Sequence, residues 1–283
     1  MSYLVAYSDT GAGRDALALG IRCAEAAGVD LDIVVVRTAE RSTPPLDGYT
    51  RYVEAAADEW LEDARRRAEK ILPPSRIRTH QRFGESTAEG LVDAARELGA
   101  RAIMVGGARG GIKGRLNISS LARVLLHSSP VPIALAPRRL RKVTLHGVSR
   151  LSVAVKHAGP GPVASRGAEV AREMGCPLRL VTLIGPGDHE PAPDDPAAEL
   201  GVAGEVEVTA TFAEGETVVE ALGTLTWEPE ELLLVGSSRL APRGQLFLGR
   251  TAGKILREVP IPIVVIPRES DDAPFAEGRS AGE

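Results

Sequence analysis

The strongest constraint on the fold is an internal repeat. The segment "VGGARGGIKGRLNISSLARVLLHSSPVPIALAP" covers residues 105–137, and "VGSSRLAPRGQLFLGRTAGKILREVPIPIVVIP" covers residues 235–267. The two segments have the same length, and Gly106 and Gly236 are 130 residues apart, as are the prolines near the end of each segment. A chain of 283 residues is long enough for two ordinary domains. The repeat therefore predicts two copies of one structural unit.

Within the first copy, short apolar runs alternate with segments that have helical spacing of apolar residues. A long helix is predicted over residues 50–71, and Ser86 with Glu89 has the pattern of a capping box at the start of another. Strand–helix alternation predicts right-handed βαβ units, with a mostly parallel sheet and helices on both faces. The strands of the first copy are predicted at residues 3–7, 31–36, 77–83, 102–107 and 131–137.

The second copy repeats this order but is 17 residues shorter. Gly28 and Gly175, which end matching helices, are 147 residues apart, whereas the later repeat has the offset of 130. The loss falls between about residues 184 and 205, a Pro- and Gly-rich segment that is expected to lack the long second helix. The sequence predicts an α/β fold with two repeated, doubly wound, mostly parallel five-stranded sheets. The predicted domains are 1–138 and a shorter 148–268, followed by a disordered tail at 269–283.

The last strand of each copy predicts how the copies pack. Each apolar run begins near a proline, Pro132 or Pro262, and proline suits an edge strand because it cannot donate to the ladder. An apolar edge has to be covered or paired. Since the connection at residues 138–147 is too short for a free linker, the two strands are predicted to meet at a pseudo-twofold axis.

Composition excludes several classes of function. The net charge of −4 gives no drive toward nucleic acid or anionic membranes. No apolar run reaches the roughly 18 residues that a membrane span needs, and the N-terminus "MSYLVAYSD" lacks a signal-peptide pattern, which predicts a cytosolic protein.

Cys23 and Cys176 have no metal-ligand spacing and are expected to be buried thiols. No nucleophile–base pair, metal cluster or paired carboxylates are recognisable, so no enzyme is predicted; a slow ATPase is the alternative.

The duplicated unit resembles the universal stress protein family in its tandem, two-domain form. The resemblance rests on "LVAYSDTGAGRDALALG" near the N-terminus and on the Gly-rich loop, the last helix and the ending "SSPVPIALAP", and it covers residues 1–268. It implies a motif of glycine, two residues, glycine, nine residues, glycine and Ser or Thr, which cradles the phosphates of ATP. It also implies an acidic residue after the first strand that helps hold the nucleoside. Glycines let backbone N–H groups approach phosphate, and a helix N-terminus adds partial positive charge.

The first half matches this motif in part. Gly106 opens it, Arg109 takes the place of the second glycine, Ser119 that of the third, and Ser120 supplies the hydroxyl. The acidic position falls on Ser8, with Asp9 one residue later, and the backbone of Val36 is expected beside the adenine ring.

These matches predict that the first half of a stress-response regulatory protein binds ATP or a related adenine nucleotide. The alternative is a scaffold or interaction protein with vestigial pockets, whose protein partner the sequence does not name. The two halves are expected to form an intramolecular pseudo-dimer, and two such chains can also form a homodimer.

The second half departs further from the motif. Gly236 and Gly249 match, but Arg239 and Arg250 replace the middle glycine and the hydroxyl, and Lys156 stands in the acidic position. A lysine cannot accept hydrogen bonds from a ribose. Three cations near a helix N-terminus favour a small anion such as phosphate or sulfate over a nucleotide. The alternative is that these cations are only solvated.

Overall fold

The computed structural model describes residues 1–38, 49–107, 118–143, 146–187, 193–237 and 246–267. No helix within these ranges combines the length and the apolar character that crossing a membrane would take. The first half contains the strands β1 (Ser2–Ala6), β2 (Asp30–Thr38), β3 (Ile77–Gly84), β4 (Ala100–Gly106) and β5 (Ile133–Ala136). Its α-helices are α1 (Gly11–Ala27), α2 (Tyr49–Ala68), α3 (Thr87–Glu97) and α4 (Ser120–Ser128).

The second half has the same order of elements. Its strands are β6 (Leu151–Val155), β7 (Leu178–Ile184), β8 (Val208–Glu214), β9 (Leu232–Gly236) and β10 (Ile263–Ile266). Its α-helices are α5 (Pro162–Met174), α6 (Pro196–Glu199), α7 (Val218–Gly223) and α8 (Arg250–Glu258).

The two predicted five-stranded sheets join into one ten-stranded sheet. The strand order is β3-β2-β1-β4-β5-β10-β9-β6-β7-β8, so the second half mirrors the first. The neighbouring strands are parallel except β5 and β10, which run antiparallel with Val264 opposite Ala134. The predicted α/β fold and the pairing of the two final strands are confirmed.

The two prolines lie just outside these strands, which differs from the predicted strand starts. Each strand begins one residue later, at Ile133 or Ile263. The proline carbonyls still accept from the neighbouring strand: Ile103 donates to Pro132 at 2.9 Å and Leu233 donates to Pro262 at 3.0 Å. A proline has no N–H to extend the ladder, so the strand starts at the next residue.

Local signals account for the helix ends. Thr10 caps α1 by accepting from the amide of Gly13 at 3.1 Å, and Ser86 caps α3 by accepting from Glu89 at 3.2 Å. Gly28 and Gly175 end α1 and α5 with φ of 68° and 61°, a left-handed conformation that glycine adopts without steric cost. Ser86, Gly28 and Gly175 thus act where the sequence predicted them, whereas the cap at Thr10 was not predicted.

Both faces of the sheet are covered by helices, as in a doubly wound fold. The helices α1, α2 and α5 cover one face, over buried residues such as Val5, Ile33 and Val153. The helices α3, α4, α7 and α8 cover the other face, over residues such as Leu4, Ile103 and Leu233.

The second half lacks a counterpart of the long helix α2. The helix α2 has 20 residues, whereas α6 has four and is the only helix in the described part of residues 184–205. Val202 and Val206, which follow α6, are buried in the core that α5 covers. The shorter connection is therefore built from a short helix and a packed loop.

Candidate functional site

The described residues of the predicted first site converge on one edge of the sheet. Ser8 follows the end of β1, Val36 lies near the end of β2, and Gly106 is the last residue of β4. Because β1 lies between β2 and β4 and the three strands are parallel, their carboxyl ends meet at the same edge. Ligands of doubly wound sheets bind at this edge. Ser119 and Ser120 begin α4, which follows β4.

The edge of the first half between Ser8, Gly106 and Ser119 is called the first crevice, and the equivalent edge of the second half the second crevice. The floor of the first crevice is made of backbone. A Cβ atom on Gly106 would lie 2.0 Å from the carbonyl oxygen of Ala12, in the first turn of α1. A Cβ on Gly13 would lie 2.1 Å from the carbonyl oxygen of Ser8. No side chain fits at either glycine. The end of β4 and the start of α1 therefore touch directly at this edge of the sheet.

The turn between β1 and α1 holds the two residues expected near a ribose. The hydroxyl of Ser8 lies 3.1 Å from that of Thr10, and the backbone amide of Thr10 donates to the carbonyl of Ser8 at 2.7 Å. The carboxylate of Asp9 accepts from Nε of Arg14 at 3.1 Å. Both partners of that ion pair are 37% exposed, so the pair contributes little stability, and a ligand can take the place of either partner.

Val36 presents its backbone to the space beyond β1. Its side chain packs on α3, where a Cβ on Gly90 would come within 2.7 Å of it. The carbonyl of Val34 accepts from the amide of Tyr7 at 2.9 Å, so the backbone of Val34 faces β1. Hydrogen-bonding direction alternates from one residue to the next along a strand. The backbone of Val36 therefore points to the same side as that of Val34. It lies beyond Val34 and Ala6, which are the last residues paired between β2 and β1.

The start of α4 supplies two hydroxyls. Ser119 caps the helix, and its oxygen accepts from the amide of Ala122 at 3.1 Å. Its hydroxyl hydrogen is still available for donation. Ser120 is exposed and has no hydrogen bond to its side chain within the described residues. Arg109, which was also predicted for this site, lies outside the described residues.

The corresponding edge of the second half carries cations. Lys156 directly follows β6 and is exposed, and Arg250 is the exposed first residue of α8. Gly249 precedes α8 and offers no side-chain cap. Within the described ranges neither Lys156 nor Arg250 makes an ion pair, and Arg239 falls outside those ranges.

Two buried charge clusters at the opposite edge were not expected from the sequence. Asp32, near the start of β2, is fully buried and accepts from Arg78 at 2.8 and 3.0 Å, with Nε2 of His80 at 2.7 Å. Glu231, just before β9, is equally buried and pairs with Arg150 and Arg179. This edge holds the amino ends of the strands, so the clusters lie away from the crevices. Their role is to stabilise the sheet.

The other candidate residues in the described part of the chain do not come together as a site. Cys23 and Cys176 are buried free thiols, and burial raises the pKa of each to about 11, so they stay protonated at neutral pH. Within the described part of the chain, no three His, Cys, Asp or Glu side chains are grouped to hold a metal ion. A broad cleft of about 1090 Å³ lies along α2 and includes Asp9, but none of the other predicted site residues.

Comparisons with known proteins point to one family. A family model described as the universal stress protein family matches residues 2–137. Universal stress proteins of Mycobacterium bovis and Mycobacterium tuberculosis are 29% identical to this chain, over 94% of its length and 100% of theirs.

Two solved structures have a similar fold. A universal stress protein from Archaeoglobus fulgidus has a TM-score of 0.65 at 19% identity, covering 94% of this chain and 98% of its own. A universal stress protein from Pseudomonas aeruginosa, described as putative, has a TM-score of 0.53 at 17% identity, covering 94% and 92% of the two chains. At these identities the likeness concerns the fold alone.

Proposed function

We propose that this chain, which belongs to the universal stress protein family, is a regulatory protein that binds an adenine nucleotide in its first half. The observation that carries the proposal is the close contact of Gly106 with the backbone of Ala12, which brings the end of β4 and the first turn of α1 together as the crevice floor, at the carboxyl edge where doubly wound sheets bind ligands. Glycine at this point also lets a phosphate approach the backbone closely.

The groups around that floor fit the parts of a nucleotide. The first amides of α4 and the hydroxyls of Ser119 and Ser120 face the phosphates, where the helix N-terminus contributes partial positive charge. Ser8 replaces the acidic residue as the ribose partner, and the backbone of Val36 lies on the adenine side. A neutral hydroxyl makes a weaker hydrogen bond than a carboxylate, so we expect moderate affinity.

Calorimetric titration with ATP tests the proposal. We expect one site per chain, and we expect Ser120→Ala to weaken binding by about 1 kcal/mol, roughly fivefold, for one lost neutral hydrogen bond. Ser128→Ala is the matched control, because Ser128 ends the same helix and its hydroxyl donates to the carbonyl of Val124 at 2.9 Å. Two equal sites, or no binding at millimolar ATP, would refute the proposal.

Two other functions are separable by simple measurements. A scaffold with vestigial pockets would carry no nucleotide in a mass spectrum of the freshly purified, denatured protein. A slow ATPase would show hydrolysis that a substitution in the Gly-rich loop abolishes.

The second crevice favours a different ligand. Lys156 and Arg250 are exposed cations without ion-pair partners among the described residues, and α8 begins without a side-chain cap. With Arg239 of the Gly-rich loop, they form the proposed site for a small anion such as phosphate.

A further inference from the structure

A buried carboxylate outside the crevice ties α1 to the connection between the halves. Asp15 lies in the second turn of α1 and is 2% exposed. It accepts from the backbone amides of Arg139 at 2.9 Å and Arg141 at 3.0 Å, and its two oxygens each lie 2.8 Å from Nη1 of Arg141. These three residues, Asp15, Arg139 and Arg141, are called the linker clamp below.

The clamp holds the connection in a conformation that its residues would otherwise avoid. Arg139 has φ of 72° and ψ of 17°, and it is the one non-glycine residue with positive φ among the residues that the structure describes. A side chain is strained in this left-handed region. The hydrogen bonds to Asp15 fix the amides on either side of Leu140, so α1 determines how the connection leaves the first half.

The clamp also reaches the floor of the first crevice. Nη1 of Arg141 donates to the carbonyl of Gly11 at 2.9 Å. The position of a Cβ on Gly11 lies 3.1 Å from Nη2 of Arg141. Gly11 begins α1, and the next residue, Ala12, is the one whose carbonyl touches Gly106. The first turn of α1 is thus held between Arg141 on one side and the end of β4 on the other.

We infer that Arg141 and Asp15 are positioning residues for the first crevice, so that its affinity for a nucleotide depends on the docked connection to the second half. This inference rests on the function proposed above. Neither residue has to touch the ligand, because a binding site depends on the exact placement of its supporting elements. At the equivalent position, 147 residues after Asp15, α5 has Pro162, which offers no carboxylate to accept such bonds.

The test compares Arg141→Gln with Lys142→Gln, which removes the same charge from the next, exposed residue. Without nucleotide, we expect hydrogen exchange at the amides of Gly13 and Arg14 to be about tenfold faster in Arg141→Gln and unchanged in Lys142→Gln. With ATP, we expect Arg141→Gln to raise the Kd about fivefold at a temperature far below melting. Arg141→Lys keeps a donor for Gly11 or Asp15 and should recover part of both effects.

The hydrogen-exchange measurement and the ATP-binding measurement together separate this inference from the proposed function. Equal exchange at Gly13 and Arg14 in the Gln variants would overturn the inference, whatever ATP does. Faster exchange with an unchanged Kd would also overturn it, because the clamp would then only stabilise the fold. If the wild-type protein binds no ATP, the proposed function fails, and exchange alone decides whether Arg141 positions the turn. Should Arg141→Gln fail to fold, Arg141→Lys against Lys142→Gln gives the same decision.

Discussion

The two crevices share a fold and a position at the sheet edge, but they differ in what lines them. In the first, Gly106 faces the backbone of Ala12, and serines begin the last helix. In the second, the equivalent Gly236 faces the side chain of Val163, and Arg250 begins the last helix. We therefore expect the duplicated fold not to carry a duplicated ligand, because ligand chemistry depends on side chains that vary without disturbing the sheet.

The contacts of the two glycines make the largest expected difference. In Gly106→Ala the new methyl group would lie 2.0 Å from a backbone oxygen, which cannot rotate away. In Gly236→Ala it would lie 2.7 Å from Cγ2 of Val163, a side-chain atom that can shift. We expect the free energy of unfolding to fall by about 3 kcal/mol in the first variant and about 1 kcal/mol in the second. Urea denaturation measures both, and equal losses would contradict the distinction between the crevices.

The buried charges at the opposite edge sharpen the comparison through pH. Burial alone would raise the pKa of Asp32, but hydrogen bonds from His80 and Arg78 outweigh it and hold that pKa well below the ordinary 3.8. In the second half, Arg179 occupies this place in β7 and stays charged in acid. A carboxylate with a lowered folded pKa stabilises the protein above its unfolded pKa and loses this contribution as the pH falls.

We therefore expect the free energy of unfolding of the wild-type protein to fall steeply below about pH 4. Asp32→Asn should lower it by about 2 kcal/mol at pH 7 and flatten its dependence on acid. Asp30→Asn is the control, because Asp30 pairs with the same Arg78 at 2.9 Å but is 34% exposed. Urea denaturation at pH 7 and at pH 3.5 measures the difference, and parallel losses in the wild type and Asp32→Asn would show that Asp32 is not responsible.

The smallest expected effect concerns the cations of the second crevice. Phosphate should raise the Tm more than chloride at equal ionic strength, because a bound anion stabilises the folded state by about 1.4 kcal/mol at ten times its Kd. Arg250→Ser should remove most of that difference, while Arg257→Ser, in the last turn of the same helix, should leave it. Equal melting curves in the two salts would mean that Lys156 and Arg250 are merely solvated.

Hydrophobic periodicity and the repeat determined most of the fold from the sequence alone. The strand–helix order, the shortened connection before β8 and the pairing of β5 with β10 all follow from patterns along the chain, because apolar spacing reports locally on which face is buried. The positions of Ser8, Gly106 and Ser119 at one edge follow from the same order, since parallel strands end together.

Only the tertiary structure decided the partners of the polar side chains. Asp15 reads in the sequence as an ordinary helix residue, yet it is buried against the connection at Arg139 and Arg141. Asp32 is likewise enclosed by Arg78 and His80 of β3, more than 40 residues away. A charged side chain can be buried only where donors arrive from distant parts of the chain, and no local pattern records which parts those are.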